Sequence, residues 1–249
     1  MSHVTEIPGR ATVVLVHGAF ADGSSWSGVI ERLQAKGISV TAPANPLRGL
    51  SADSAYLESE LGQIHGPVVL VGHSYAGAVI SNAAKNASNV VGLVFVAAFV
   101  PDDGEVLGQV TPTSKDSILM PALVSHEYPT DRGAHHVEFV VDPAKFRETF
   151  AADLPPQTAA VMAATQRPVA DAAFSDPATA PAWKDRPSWA VVATGDRAAG
   201  ADLTRSMARR AGATITEVAG SHVVMVSQPE AVTEVIVQAV EATSAVPVG

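Results

Sequence analysis

Cysteine is absent from the 249 residues, which excludes disulfides, thiolate metal sites and a cysteine nucleophile. Charge is sparse at 16% of residues, and it is lopsided, with 25 acidic against 16 basic side chains and a formal net charge of −9. The basic residues are scattered apart from the pair Arg209-Arg210. No stripe is present to track a phosphate backbone, so a nucleic-acid partner is not expected. Long apolar runs are missing too. The longest, such as Val90 to Val100, fall well short of the ~20 residues that a membrane-spanning helix needs. Met1 to Arg10 lacks a basic stretch followed by an apolar one, so no signal peptide is expected and a cytoplasmic location is.

What remains is an apolar chain, 47% hydrophobic, long enough for one α/β domain with a sizeable core. Thr12 to Val16 is a continuous, mostly β-branched run, as suits a strand buried on both faces. Ser24 to Ala35 then places Trp26, Val29, Ile30 and Leu33 at helical spacing, and Gly37 stops the pattern. Strands are expected at Ile38 to Ala42, Pro67 to Val71 and Val90 to Ala98, with helices at Ser51 to Ile64 and Ala76 to Asn86 between them. The rhythm returns late in the chain. Trp189 to Thr194 and Thr214 to Val218 read as strands, and Leu203 to Arg210 and Pro229 to Ala242 as helices. Alternation of this kind implies a parallel sheet of six strands with right-handed crossovers.

Between Pro101 and Pro187 the strand rhythm disappears. Helical patterns occur at Phe146 to Ala152 and Thr158 to Ala164. So long a stretch is not expected to be structureless. It reads as a mostly helical cap, residues 101–187, inserted into a core made of 1–100 and 188–249.

The chemistry-bearing residues lie where strands end. Val71 runs into Gly72-His73-Ser74-Tyr75-Ala76-Gly77 and then a helix. A serine between a buried strand and a helix sits on a sharp turn that lifts its hydroxyl clear of the sheet. Small residues are needed two before and two after it, here Gly72 and Ala76. Ser74 is therefore the candidate nucleophile. Its oxyanion partners are expected to be the backbone N–H groups of Tyr75 and of Ala19 in His17-Gly18-Ala19-Phe20, with Phe20 as the fallback. His222, in Gly220-Ser221-His222 after the last strand, is the candidate base. Asp196, directly after the strand before it, is the candidate acid, with Asp102 and Asp103 as rivals. A carboxylate there would fix the imidazole tautomer and stabilise the imidazolium. His17 and His73 read as structural.

Within the cap, Leu119, Met120, Phe139 and Phe146, together with Phe20, are candidates for a substrate pocket. Leu107, Phe150 and Met162 are further apolar candidates, and each of these cap side chains has ordinary packing as its plainer explanation. His126, His135 and His136 with Asp131 and Glu138 match no recognised metal-ligand spacing, and a solvated loop is expected there. No metal or other cofactor is expected.

Val14 to Phe20, Val71 to Tyr75, Ala193 to Arg197 and Gly220 to His222 resemble the bacterial small esterases of the α/β-hydrolase fold, a group related to plant methyl-salicylate esterases and hydroxynitrile lyases. The resemblance implies an α/β-hydrolase core with an inserted helical cap. It also implies cofactor-free hydrolysis of a small-molecule carboxylic ester through the order Ser-Asp-His. Three departures matter. Ala76 stands where glycine is commoner, and Arg197-Ala198-Ala199-Gly200 follows the acid where relatives often have Ile-Pro. Gly18 and Val223 occupy positions that are threonine and lysine in the hydroxynitrile lyases, which disfavours cyanohydrin cleavage.

Overall fold

The computed structural model describes residues 10–130, 133–179 and 181–244. Its centre is β3 (Val68–His73), a strand in which every residue is buried. β1 (Thr12–Val16) and β4 (Val90–Val96) flank it in parallel. Both are rich in valine and leucine and almost wholly buried, as their apolar patterns demand. β2 (Val40–Thr41) closes one side of this sheet, and β8 (Ser188–Ala193) and β9 (Thr214–Val218) complete the other. The strand order is β2-β1-β3-β4-β8-β9, with every pairing parallel. α1 (Ser27–Ala35) packs against α9 (Val224–Ser227) and α10 (Pro229–Ser244), α2 (Leu50–Leu61) against α3 (Ala76–Ala83), and α8 (Ala201–Arg210) against β8.

The topology dictates where chemistry can occur. The chain runs from β1 outward to β2, then crosses to the opposite side of β1 for β3. In open parallel sheets the crevice at such a reversal, beyond the carboxyl ends of the strands, is where ligands bind. Ser74 follows the carboxyl end of β3, and His17 to Phe20 follow that of β1. Asp196 and His222 follow β8 and β9 on the same edge.

The six expected strands are all present, and Thr214–Val218 has the expected bounds. β2 is only two residues long, shorter than Ile38 to Ala42. The segment between β4 and β8 departs further from expectation. It contains α4 (Leu107–Val110), α5 (Pro143–Phe150), α6 (Pro156–Thr165) and α7 (Ala172–Ser175), but also a three-stranded antiparallel sheet. That sheet is β5 (Leu123–Pro129), β6 (His135–Val141) and β7 (Val169–Ala170). The physical reason is exposure: most of β5 and half of β6 face solvent, so neither carries the apolar run that marks a core strand. α5 begins at Pro143, earlier than expected. Proline suits the first helical turn, and the Asp142 side chain caps it by accepting the Ala144 N–H at 2.9 Å.

Candidate active site

Ser74 has a φ of 55°, in the left-handed region that a non-glycine residue adopts only at a cost of about 1–3 kcal/mol. The neighbouring chain holds it there. Its N–H donates to the Val96 carbonyl at 3.2 Å, and its carbonyl accepts from Gly77 N–H at 2.9 Å and Phe99 N–H at 3.2 Å. Gly77 resolves the departure at Ala76. A Cβ on Gly77 would stand 2.2 Å from the Phe99 carbonyl oxygen, whereas the Ala76 methyl is already buried without displacing the turn. The residue that must lack a side chain is thus the third after Ser74, not the second. Gly18 meets the turn from the β1 side, since a Cβ there would lie 2.7 Å from Ser74 Cβ.

His222 Nδ1 lies 2.9 Å from Asp196 Oδ2, and both side chains are sealed from solvent. The other carboxylate oxygen, Oδ1, accepts the N–H groups of Ala198 at 2.9 Å and Ala199 at 3.0 Å. These are residues of the segment that replaces Ile-Pro, so the altered sequence after the acid still turns back to bind it. Asp102 instead pairs with Lys184, and it is Asp196 that meets the histidine. The His222 backbone is tethered as well. His73 Nε2 is 3.0 Å from the His222 carbonyl, and the two imidazoles are 4.6 Å apart between centroids. A carbonyl can only accept, so His73 carries its proton on Nε2. Burial, with His222 beside it, drives the His73 pKa well below the ordinary histidine value. Among the described residues no hydrogen bond joins the Ser74 hydroxyl to His222. Nucleophile–base bonds are often long until a substrate is seated.

The loop after β1 is braced by His17. Its Nε2 accepts the Asn45 N–H at 3.0 Å, which leaves Nδ1 to donate to the Gly18 carbonyl at 3.0 Å. Burial lowers its pKa, in keeping with a neutral ring. Phe20, with a φ of 60°, turns the loop toward the serine. No described hydrogen bond uses the N–H of Ala19, Phe20 or Tyr75, so all three remain candidates for an oxyanion. The Tyr75 side chain is anchored from α2, its hydroxyl donating to Asp53 Oδ2 at 2.8 Å in the core. No local pattern in the sequence pairs these two residues.

Aromatic side chains enclose the imidazole. Phe150 at the end of α5 packs against His222 with centroids 4.8 Å apart, and Phe146 and Phe20 pack on Phe150 at 5.1 and 6.1 Å. Phe20 and Met162 border a cavity of about 190 Å³ whose rim carries Asp22, Ser24 and Thr158. Leu107 and Leu119 are buried. Met120 is 42% exposed. Phe139 packs on Phe174 at 6.2 Å. The histidines expected in a loop lie on strands: His126 in β5, His135 and His136 in β6. Among the described residues no cluster of three or more ligands is arranged for a metal, and Asp131 lies outside them. No described helix is long and apolar enough to cross a membrane.

A model of the alpha/beta hydrolase family matches residues 13–235. A carbendazim-hydrolysing esterase from a Nocardioides species is 34% identical over 115 residues. That match spans 41% of this chain and 48% of the relative, about half its length. Among solved structures, polyneuridine aldehyde esterase superposes with a TM-score of 0.78 at 18% identity, over 92% of this chain and 98% of its own. A pyrethroid hydrolase from Sphingobium faniae gives 0.72 at 21% identity, over 93% and 98%. At such identities the likeness is one of fold.

Proposed function

From the premise that this chain belongs to the alpha/beta hydrolase family, we propose that it is a serine esterase acting on small to medium apolar carboxylic esters. In this reading His222 takes the Ser74 proton and Ser74 attacks the ester carbonyl. Asp196 stabilises the imidazolium, and the N–H groups of Tyr75 and Ala19 receive the oxyanion. The alcohol leaves with the proton held by His222, and water activated by the same ring releases the acid. The observation that carries the reading is the buried 2.9 Å bond from His222 to Asp196 on the strand edge where Ser74 stands at a φ of 55°. The esterase named among the relatives supports the substrate class. No step calls for a metal or organic cofactor. The segment between β4 and β8, residues 101–187, serves as the cap, with Phe146, Phe150 and Phe20 giving the site its apolar wall. The protein is expected to work in the cytoplasm.

The test is a panel of p-nitrophenyl esters, lactones and cyanohydrins offered to the wild type and to Ser74→Ala. Turnover of short apolar esters that drops to a small residual rate in Ser74→Ala is the expected result. Turnover confined to cyanohydrins, or undiminished in Ser74→Ala, would overturn the reading.

A further inference from the structure

Although all three triad candidates sit on the sheet, the loops that carry the acid and the base are held from the insertion. Ile118 N–H donates to the Arg197 carbonyl at 2.8 Å, and Arg197 Nη1 reaches Glu148 of α5 at 2.8 Å. On the base side the grip is closer to the chemistry. Ser221, immediately before His222 and buried, donates its hydroxyl to Asp153 Oδ1, with the Phe150 carbonyl 3.4 Å from the same Oγ.

Asp153 stands in a turn between α5 and α6 that is built to hold it. Arg147 spans the turn, with Nε donating to the Leu154 carbonyl at 3.3 Å and Nη2 to that of Ala152 at 3.2 Å. Burial opposes ionisation of Asp153, but the Ser221 hydroxyl and other hydrogen bonds to the carboxylate outweigh it, and its pKa lies below the ordinary carboxylate value. The acceptor is therefore an anion at neutral pH, and a charge-assisted bond is about twice as strong as a neutral one. A cleft of about 730 Å³, lined by Asp153, Leu154, Gly195, Ser221 and Gln228, flanks the contact. Open space rather than packed core backs the turn.

Besides the His222–Asp196 bond, the base loop is tied in three places: His73 to the His222 carbonyl, Gly195 N–H to the Gly220 carbonyl at 2.9 Å, and Asp153 with the Phe150 carbonyl to Ser221. Two originate in the core. The third belongs to the same turn that presses Phe150 onto the imidazole. His222 is only 1% exposed, with Phe150 packed on its ring at 4.8 Å between centroids.

Resting on the reading of Ser74 and His222 as nucleophile and base, we infer that Asp153 is a positioning residue that acts through Ser221. It holds the His222 backbone in register with Ser74 from the turn that follows α5.

The experiment compares Asp153→Ala, Asp153→Asn, Ser221→Ala and the double variant Asp153→Ala/Ser221→Ala with the wild type. It uses steady-state hydrolysis of a p-nitrophenyl ester and the rate of inactivation by a fluorophosphonate, with near-UV circular dichroism to verify packing. A small misplacement of a reacting group costs up to about 10²-fold. Asp153→Ala and Ser221→Ala should each lower kcat by about 10- to 100-fold, with KM within about threefold and phosphonate inactivation falling in step. Asp153→Asn, which keeps an acceptor for the hydroxyl, should recover most of kcat. The double variant should be no worse than the poorer single one, as residues on one path do not add. An unchanged kcat with a raised KM, an Asn variant as poor as Ala, or losses that multiply would overturn the inference. Ser74→Ala, run alongside, separates the two failures. If it keeps wild-type turnover the nucleophile reading is wrong, whereas a dead Ser74→Ala beside a fully active Asp153→Ala removes Asp153 alone.

Discussion

Asp196 divides its carboxylate between two tasks, giving Oδ2 to His222 Nδ1 at 2.9 Å and Oδ1 to the N–H groups of Ala198 and Ala199. The second task fixes what an amide would do in its place. In Asp196→Asn the two backbone donors keep the oxygen on their side, so the NH₂ group faces Nδ1. Nδ1 must then become the acceptor and the proton moves to Nε2, the nitrogen that has to receive the serine proton. A near-isosteric change therefore installs the wrong tautomer. The expected loss is about 10⁴-fold in kcat, the size seen for this substitution in serine proteases, with a thermal melt close to that of the wild type. Asp102→Asn, which touches the Lys184 pair, should change kcat by less than about threefold, within the range of an exposed ion pair. Steady-state kinetics of both variants check the assignment.

The turn around Ser74 offers a test of the fold's own logic. Gly77→Ala should force the Phe99 carbonyl away and with it one of the bonds that hold the Ser74 backbone. Overpacking of this kind costs roughly 1–3 kcal/mol, visible as a lower urea midpoint, together with a loss of activity larger than the stability change explains. Ala76→Gly restores the commoner motif yet should gain nothing. It should lose about 1 kcal/mol of helix stability and keep kcat within a few-fold. Should the two variants behave in the reverse order, the crowded position has been misassigned.

Much of this was legible along the chain, for identifiable reasons. β1, β3 and β4 are buried on both faces, so their valines and leucines announce them without a partner. Ser74, Asp196 and His222 follow the ends of β3, β8 and β9 by one, three and four residues, and each was marked as a candidate by its neighbours alone. β5 and β6 were not legible because solvent covers most of their side chains and removes the apolar signature. Phe150 against His222, Asp153 against Ser221 and Tyr75 against Asp53 were not legible as pairs either. Each joins segments far apart in sequence, and only the packing of the insertion and of α2 on the sheet brings them together.

Two buried neutral histidines make stability depend on pH in a definite direction. Burial lowers the pKa of His17 and lowers that of His73 well below the ordinary value. The unfolded chain therefore binds protons at these sites that the folded chain refuses. Their contribution is fully present above about pH 6.5, the unfolded histidine value, and drains away as pH falls below it. The slope approaches about 1.4 kcal/mol per pH unit for each histidine. Asp53 works the other way at lower pH, since burial raises its pKa. Urea titrations at pH 5 and pH 7 should show the loss, and His17→Gln should flatten it. A stability that is level across this range would contradict the neutral, braced roles given to both rings.

The most direct test is to catch the acyl group on the serine. The enzyme is mixed with a p-nitrophenyl ester, quenched in acid within the first turnovers, digested, and the peptide bearing Ser74 is weighed. The mass of that peptide should rise by the acyl group, on Ser74 and nowhere else, in amounts that fall to nothing in Ser74→Ala. In His222→Ala the acyl peptide should form no faster than in the buffer-driven reaction. The double variant Ser74→Ala/His222→Ala should turn over no more slowly than either single one, because the two residues act as a unit and leave only a residual ~10³–10⁴-fold rate over water. An unmodified Ser74 peptide during rapid turnover, or acylation that proceeds at full rate without His222, would contradict acyl transfer through Ser74.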